Sequence, residues 1–142
     1  MTAAHAEDPR DKHHDSGFPG QSQTQPGSLE HTNPTPDHGE SSYRGSSRLE
    51  GRRALITGGD SGIGCAVAIA FAREGADVAI AHLPEEQEDA DDTLRLVEKE
   101  GTQGLSLPGD IRDEEFAASL PGRAIAEFGG LDVVVLNAAY QK

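Results

Sequence analysis

Residues 53–64 read Arg53-Ala54-Leu55-Ile56-Thr57-Gly58-Gly59-Asp60-Ser61-Gly62-Ile63-Gly64. A short apolar run stops abruptly at a cluster of glycines. Residues 65–73 beyond it are rich in Ala, Val, Ile and Phe and close at Glu74-Gly75. The pattern predicts a buried strand, a glycine-rich turn and a tightly packed helix ended by a glycine.

The same grammar repeats outward from this stretch. Residues 77–81, Asp77-Val78-Ala79-Ile80-Ala81, read as a second buried strand. Pro84-Glu85-Glu86 opens a second helix, with acids suited to its N-terminal dipole. Ala90, Leu94 and Val97 share one face of that helix, and Gly101 ends it. Residues 104–107 form a weaker third strand that stops near Pro108-Gly109-Asp110. A third helix is expected from Glu114 to Phe128, interrupted at Pro121-Gly122; interior Pro costs ~3 kcal/mol and Gly ~1. Residues 131–136 are a β-branched fourth strand. Strands that read as continuous apolar runs are buried on both faces. Alternation with short links implies right-handed crossovers and a parallel sheet. The fold class is therefore α/β: the first half of a Rossmann-type doubly wound parallel sheet, strand order 3-2-1-4.

The chain before this pattern is different. Residues 1–48 hold seven apolar side chains, five of the six histidines and five of the eight prolines. Such a stretch buries too little apolar surface to offset its ordering entropy. It is expected to be a disordered Gly/Pro/His-rich arm, with local order from residue 25 to 51, ahead of a partial nucleotide-binding domain at 49–142. His5, His13 and His14 read as a solvated polar tail, because a metal site needs a preformed geometry. The acidic run 85–92 reads as the solvated face of the second helix. Cys65 is either a small buried hydrophobe or a thiol acidified by the helix dipole.

Composition excludes other classes. The 142 residues carry 12 basic and 25 acidic side chains, a net charge of −13, which argues against nucleic acid or an anionic membrane as partner. A single cysteine excludes an intramolecular disulfide and a thiolate-rich zinc site. No apolar run approaches the roughly 20 residues of a membrane span. Residues 1–10 lack the apolar core of a secretory signal. The expected location is the cytoplasm.

The glycines carry the chemistry. Gly58 lets the chain turn sharply out of the strand. Gly62 lets backbone N–H groups approach a pyrophosphate, and Gly64 lets the helix pack close to the sheet. The helix N-terminus then offers N–H donors and a positive dipole end. No Gly-Lys-Ser/Thr follows, so this is not a Walker-type loop.

Thr57-Gly58-x-x-x-Gly62-Ile63-Gly64 resembles the cofactor motif of the short-chain dehydrogenase/reductases. Gly109-Asp110-Ile111 resembles that family's acidic residue after the third strand. Leu136-Asn137-Ala138-Ala139 resembles its Asn-Asn-Ala-Gly motif after the fourth. The Gly-Gly-Asp-Ser-Gly-Ile-Gly loop and the Pro-rich arm resemble one bacterial subgroup, over about residues 25–140. The resemblance implies a nicotinamide dinucleotide as cofactor. Gly58, Ser61, Gly62 and Ile63 would line the phosphates, with Gly64 beneath them. Asp110 and Ile111 would hold the adenine, and Asn137 and Ala138 the adenine-side ribose. His82 stands where NAD-preferring members end the second strand in Asp. Leu83 and Ser61 stand where NADP-preferring members place Arg or Lys. Neither signature is present. His82 as a donor to a 2′-phosphate tilts the expectation slightly to NADP; as a surface histidine it favours neither.

Three departures follow. The family's catalytic Ser and Tyr-x-x-x-Lys are absent from these residues, and Tyr140-Gln141-Lys142 has the wrong spacing, so no catalytic residue is assigned. Leu136 replaces the first Asn of its motif. Cys65 replaces a residue that is usually basic in the subgroup. The expected function is a truncated NAD(P)-dependent short-chain oxidoreductase of alcohols or carbonyls, inactive as given. The alternative is a non-catalytic dinucleotide-binding module. Full-length relatives are expected to be homo-oligomers whose arm reaches a neighbouring subunit. In the isolated chain, Val133 and Val135 are expected to form an unpaired apolar edge prone to association.

Overall fold

The computed structural model describes residues 17–24 and 31–139. His5, His13, His14 and residues 140–142 lie outside them. In chain order the elements are β1 (Arg53–Thr57), α1 (Gly62–Arg73), β2 (Asp77–His82), a 3₁₀ turn (Pro84–Glu86), α2 (Gln87–Lys99), β3 (Gly104–Pro108), α3 (Glu114–Phe128) and β4 (Val133–Leu136). The four strands form one parallel sheet in the order β3-β2-β1-β4.

Alternation along each strand sends neighbouring side chains to opposite faces. Ile56, Val78 and Ile80 pack against Ala68 and Ala72 of α1 and Ala90, Leu94 and Val97 of α2. Leu55, Ala79 and Ala81 pack against Leu120, Ala124 and Phe128 of α3. Both faces of β1 and β2 are thus covered, which is why these strands carry no polar alternation.

Two expectations about elements change. Helix α3 runs unbroken through Pro121. Pro121 and Gly122 lie on its exposed side, while Leu120 and Ala124 anchor the helix to the sheet. Asp113 also caps its start, accepting from the backbone N–H groups of Glu115 and Phe116, and Gly129 closes it in the left-handed region. At β4 the exposed residues are Val134 and Leu136, not Val133 and Val135. Val135 packs against the cluster around Ile56.

Residues 39–48 fall within the stretch of the arm expected to have local order, and they are tied to the C-terminal end of α1. Glu74 is buried, and its carboxylate accepts from the backbone N–H groups of Ser46 and Arg48, both at 2.9 Å. It also accepts from the Arg48 guanidinium at 2.8 Å and from the Tyr43 hydroxyl. Arg73 donates to the carbonyls of Gly39 and Tyr43, each at 2.7 Å, and to that of Glu40. A Cβ at Gly45 would lie 1.9 Å from the Arg73 carbonyl oxygen, so only glycine allows this approach. Composition measures apolar burial; here a buried carboxylate holds the polar chain through directed hydrogen bonds.

No described helix is long and apolar enough to cross a membrane.

Candidate functional site

Parallel register brings all four strands to a common C-terminal edge. Thr57 lies opposite Ala81 and Leu136, and His82 lies opposite Pro108. The loops after β1, β3 and β4 all leave from this edge. Helix α1 follows β1 onto one face, while α3 reaches β4 from the other. Their divergence makes β1/β4 the switch point of the sheet, where ligands of this architecture bind.

The glycine loop is shaped for close approach. Gly58 has φ +66°, and a Cβ there would lie 3.1 Å from both the Ala138 Cα and the Asn137 Nδ2. A Cβ on Gly64 would lie 1.9 Å from the Gly58 carbonyl oxygen, so α1 begins hard against the strand end. Gly62, with φ +52°, faces open space, and Ile63 beside it is exposed. Ser61 is the N-cap of α1 but makes no side-chain capping bond, and the first turn of α1 contains no acid. The start of α1 is thus uncapped and, at Gly62, open, as helix N-termini that bind phosphates are.

Asn137 ties the fourth-strand loop to the first. Its Nδ2 donates to the carbonyls of Gly58 at 3.0 Å and Thr57 at 3.2 Å. The backbone N–H groups of Asn137 and Ala138 both donate to the Thr57 Oγ1 at 3.1 Å. The amide of Asn137 therefore positions the loop rather than standing free. Ala138 is exposed beside it.

At the end of β3, Asp110 accepts from the Arg112 backbone N–H at 2.9 Å and from its guanidinium. The Arg112 side chain holds the Asp110 carboxyl below the usual carboxylate range. Ile111 next to it is partly exposed, an apolar surface at the loop crest.

His82 is not a surface residue. It is buried, with Nδ1 2.8 Å from the Leu83 carbonyl oxygen and Nε2 2.8 Å from the Ser106 Oγ. A carbonyl only accepts, so Nδ1 donates to Leu83, and Nε2 shares a hydrogen bond with the Ser106 hydroxyl. The donor expected for a 2′-phosphate is already committed. Cys65 is also buried, and burial pushes its thiol up, so the acidified reading gives way to the small-hydrophobe one.

Three contributions had no assigned role in the sequence. Thr57 bridges two loops through its hydroxyl. Gly59 leaves room for Ile80, whose Cγ2 would lie 2.4 Å from a Cβ there. Thr93 of α2 donates through its hydroxyl to the Asp60 carbonyl at 3.0 Å, fastening the glycine loop to the second helix. Thr57 and Gly59 lie inside the motif and were legible as candidates. Thr93 had no local signal, because its partner is 33 residues away.

Comparison with known proteins gives the family. A family model described as short chain dehydrogenase matches residues 52–142. The uncharacterized oxidoreductase YghA of Escherichia coli is 50% identical over 138 residues, covering 97% of this chain and 47% of that protein. A short chain dehydrogenase from Burkholderia cenocepacia, solved in complex with NADP, superimposes with a TM-score of 0.63 at 39% identity, over 66% of this chain and 38% of that one. A short chain dehydrogenase from Mycobacterium paratuberculosis, bound to NAD, gives 0.61 at 33% identity, over 66% and 39%. The chain spans about half the length of the curated relatives it matches. By motif, topology and likeness together, the chain belongs to the short-chain dehydrogenase family of oxidoreductases.

Proposed function

We propose that these residues form the cofactor-binding half of an NAD(P)-dependent oxidoreductase of alcohols or carbonyls. The observation that carries this reading is the uncapped, acid-free N-terminus of α1 beneath the open face of Gly62. In the proposed complex, the loop around Gly58, Ser61, Gly62 and Ile63 cradles the pyrophosphate against backbone N–H groups, with Gly64 keeping the helix close. Asp110 and Ile111 border the adenine. Asn137 and Ala138 border the adenine-side ribose, Asn137 by holding the loop in place.

Among the described residues, no proton-transfer group is assigned beside the proposed dinucleotide site. When bound, the dinucleotide supplies the hydride chemistry. The chain's own part is to bind, orient and partly desolvate it. The 142-residue chain by itself is therefore proposed to bind without turning over. Cytoplasmic location and homo-oligomeric assembly of the whole enzyme belong to the same reading.

The test is calorimetric titration of the purified chain with oxidised and reduced dinucleotide, alongside a carbonyl-reduction assay against a heat-killed control. Saturable micromolar binding without turnover is expected. A folded chain that gives no binding heat sinks the proposal, and steady turnover sinks the division of labour.

A further inference from the structure

We infer that Glu86, not His82, decides which dinucleotide this site takes, and that it takes NAD(H) over NADP(H). The inference rests on the binding reading above. In dinucleotide-binding sheets an acid about 20 residues beyond the glycine motif accepts a hydrogen bond from the ribose 2′-OH and repels a 2′-phosphate. Here the end of β2 is His82, whose ring is turned into the sheet with both nitrogens engaged. The chain turns through Leu83 and Pro84, and Glu86 reaches back over the strand end. Its Oε2 accepts from the Leu83 backbone N–H at 3.0 Å. A carboxylate thus stands at the end of β2 although the strand itself ends in histidine. Its Oε1 lies outside that bond.

Two further carboxylates act on Glu86. Asp60 in the glycine loop is buried, and its Oδ1 has no partner among the described residues. Burial pushes the Glu86 carboxyl up, and the negative charges of Asp60 and Asp89 add to the effect while the Leu83 N–H and His82 oppose it. Carboxylates from the glycine loop and from α2 thus add negative charge around Glu86. Ser61 and Leu83, the positions from which a cationic side chain would offset a phosphate, are uncharged. A 2′-phosphate brings a charge of about −1.5 to −2 into this field. A 2′-hydroxyl brings none and offers a proton to a carboxylate oxygen, a charge-assisted bond.

The experiment is a fluorescence titration of the 142-residue chain with NADH and NADPH at pH 8, for the native sequence and for Glu86→Gln. The amide oxygen of Gln keeps an acceptor for the Leu83 N–H, and far-UV circular dichroism checks the fold. NADH is expected to bind at least about tenfold more tightly than NADPH. Glu86→Gln is expected to narrow that ratio to about threefold or less, mainly by tightening NADPH. Equal or tighter binding of NADPH by the native chain overturns the inference and leaves the binding reading intact. An NADH preference that Glu86→Gln does not change overturns the role of Glu86. Failure of a folded chain to bind either dinucleotide overturns the binding reading, and the inference with it.

Discussion

Gly64 and Gly62 sit two residues apart and answer to different constraints. At Gly64 the obstacle is steric: a Cβ has the Gly58 carbonyl oxygen 1.9 Å away. Gly64→Ala is expected to lower stability by about 1–3 kcal/mol, because strand end and helix start must separate. Denaturant unfolding measures it. At Gly62 nothing lies within 4 Å, and only the φ of +52° opposes a side chain. Gly62→Ala is expected to cost roughly 1–2 kcal/mol in backbone strain. It is also expected to weaken dinucleotide binding by about tenfold, since the new methyl would stand in the proposed phosphate space. Unfolding and titration together separate the two effects; unchanged dinucleotide affinity in folded Gly62→Ala would place the phosphate elsewhere.

Among the elements, α3 shows tertiary packing outweighing local propensity. Leu120 and Ala124 hold Pro121 in a helix that its own conformational preference disfavours. Because Pro121 is exposed, nothing in the packing requires it. Pro121→Ala is expected to stabilise the chain by roughly 1–3 kcal/mol, seen as a higher urea midpoint at unchanged slope. Strand β4 shows the opposite exposure. It pairs with β1 on one side, and Val134 and Leu136 are open. Such an edge pairs with other chains, so the isolated polypeptide is expected to associate as concentration rises. Replacing Val134 and Leu136 with Lys is expected to suppress that association in sedimentation velocity. Persistent association in the double variant would point to a different surface.

Across the whole molecule, the arm and the sheet are joined at Glu74. Hydrogen bonds from the Arg48 and Tyr43 side chains, then from backbone N–H groups, hold its carboxyl well below the usual carboxylate value of 4.5. A depressed folded value means that the anchoring contributes fully above about pH 4.5 and is lost as the pH falls towards the folded value. The arm is therefore expected to stay docked at neutral pH and to loosen in acid. Glu74→Gln is expected to lower stability at pH 7 and to flatten the pH dependence of stability below pH 4.5. Proteolysis of residues 39–48 and unfolding measured from pH 7 downward check both. An unchanged acid limb in Glu74→Gln would show that other carboxylates carry it.

The sequence by itself determined the alternation of strands and helices, the parallel sheet in the order β3-β2-β1-β4 and the place of the glycine loop. Apolar periodicity and glycine spacing are local signals, and a parallel sheet follows from alternation because short crossovers have one hand. Only the tertiary structure decided the hydrogen-bond partners of His82, Glu86, Glu74 and Thr93. Each depends on a partner that no local pattern names: Ser106 for His82, residues 43–48 for Glu74, Asp60 for Thr93. Even Glu86, three residues from Leu83, reads as one more acid of a solvated run until the chain turns it back onto the strand end. Residue types show which groups can bond; the fold decides which of them meet, because direction and burial are properties of the packed chain.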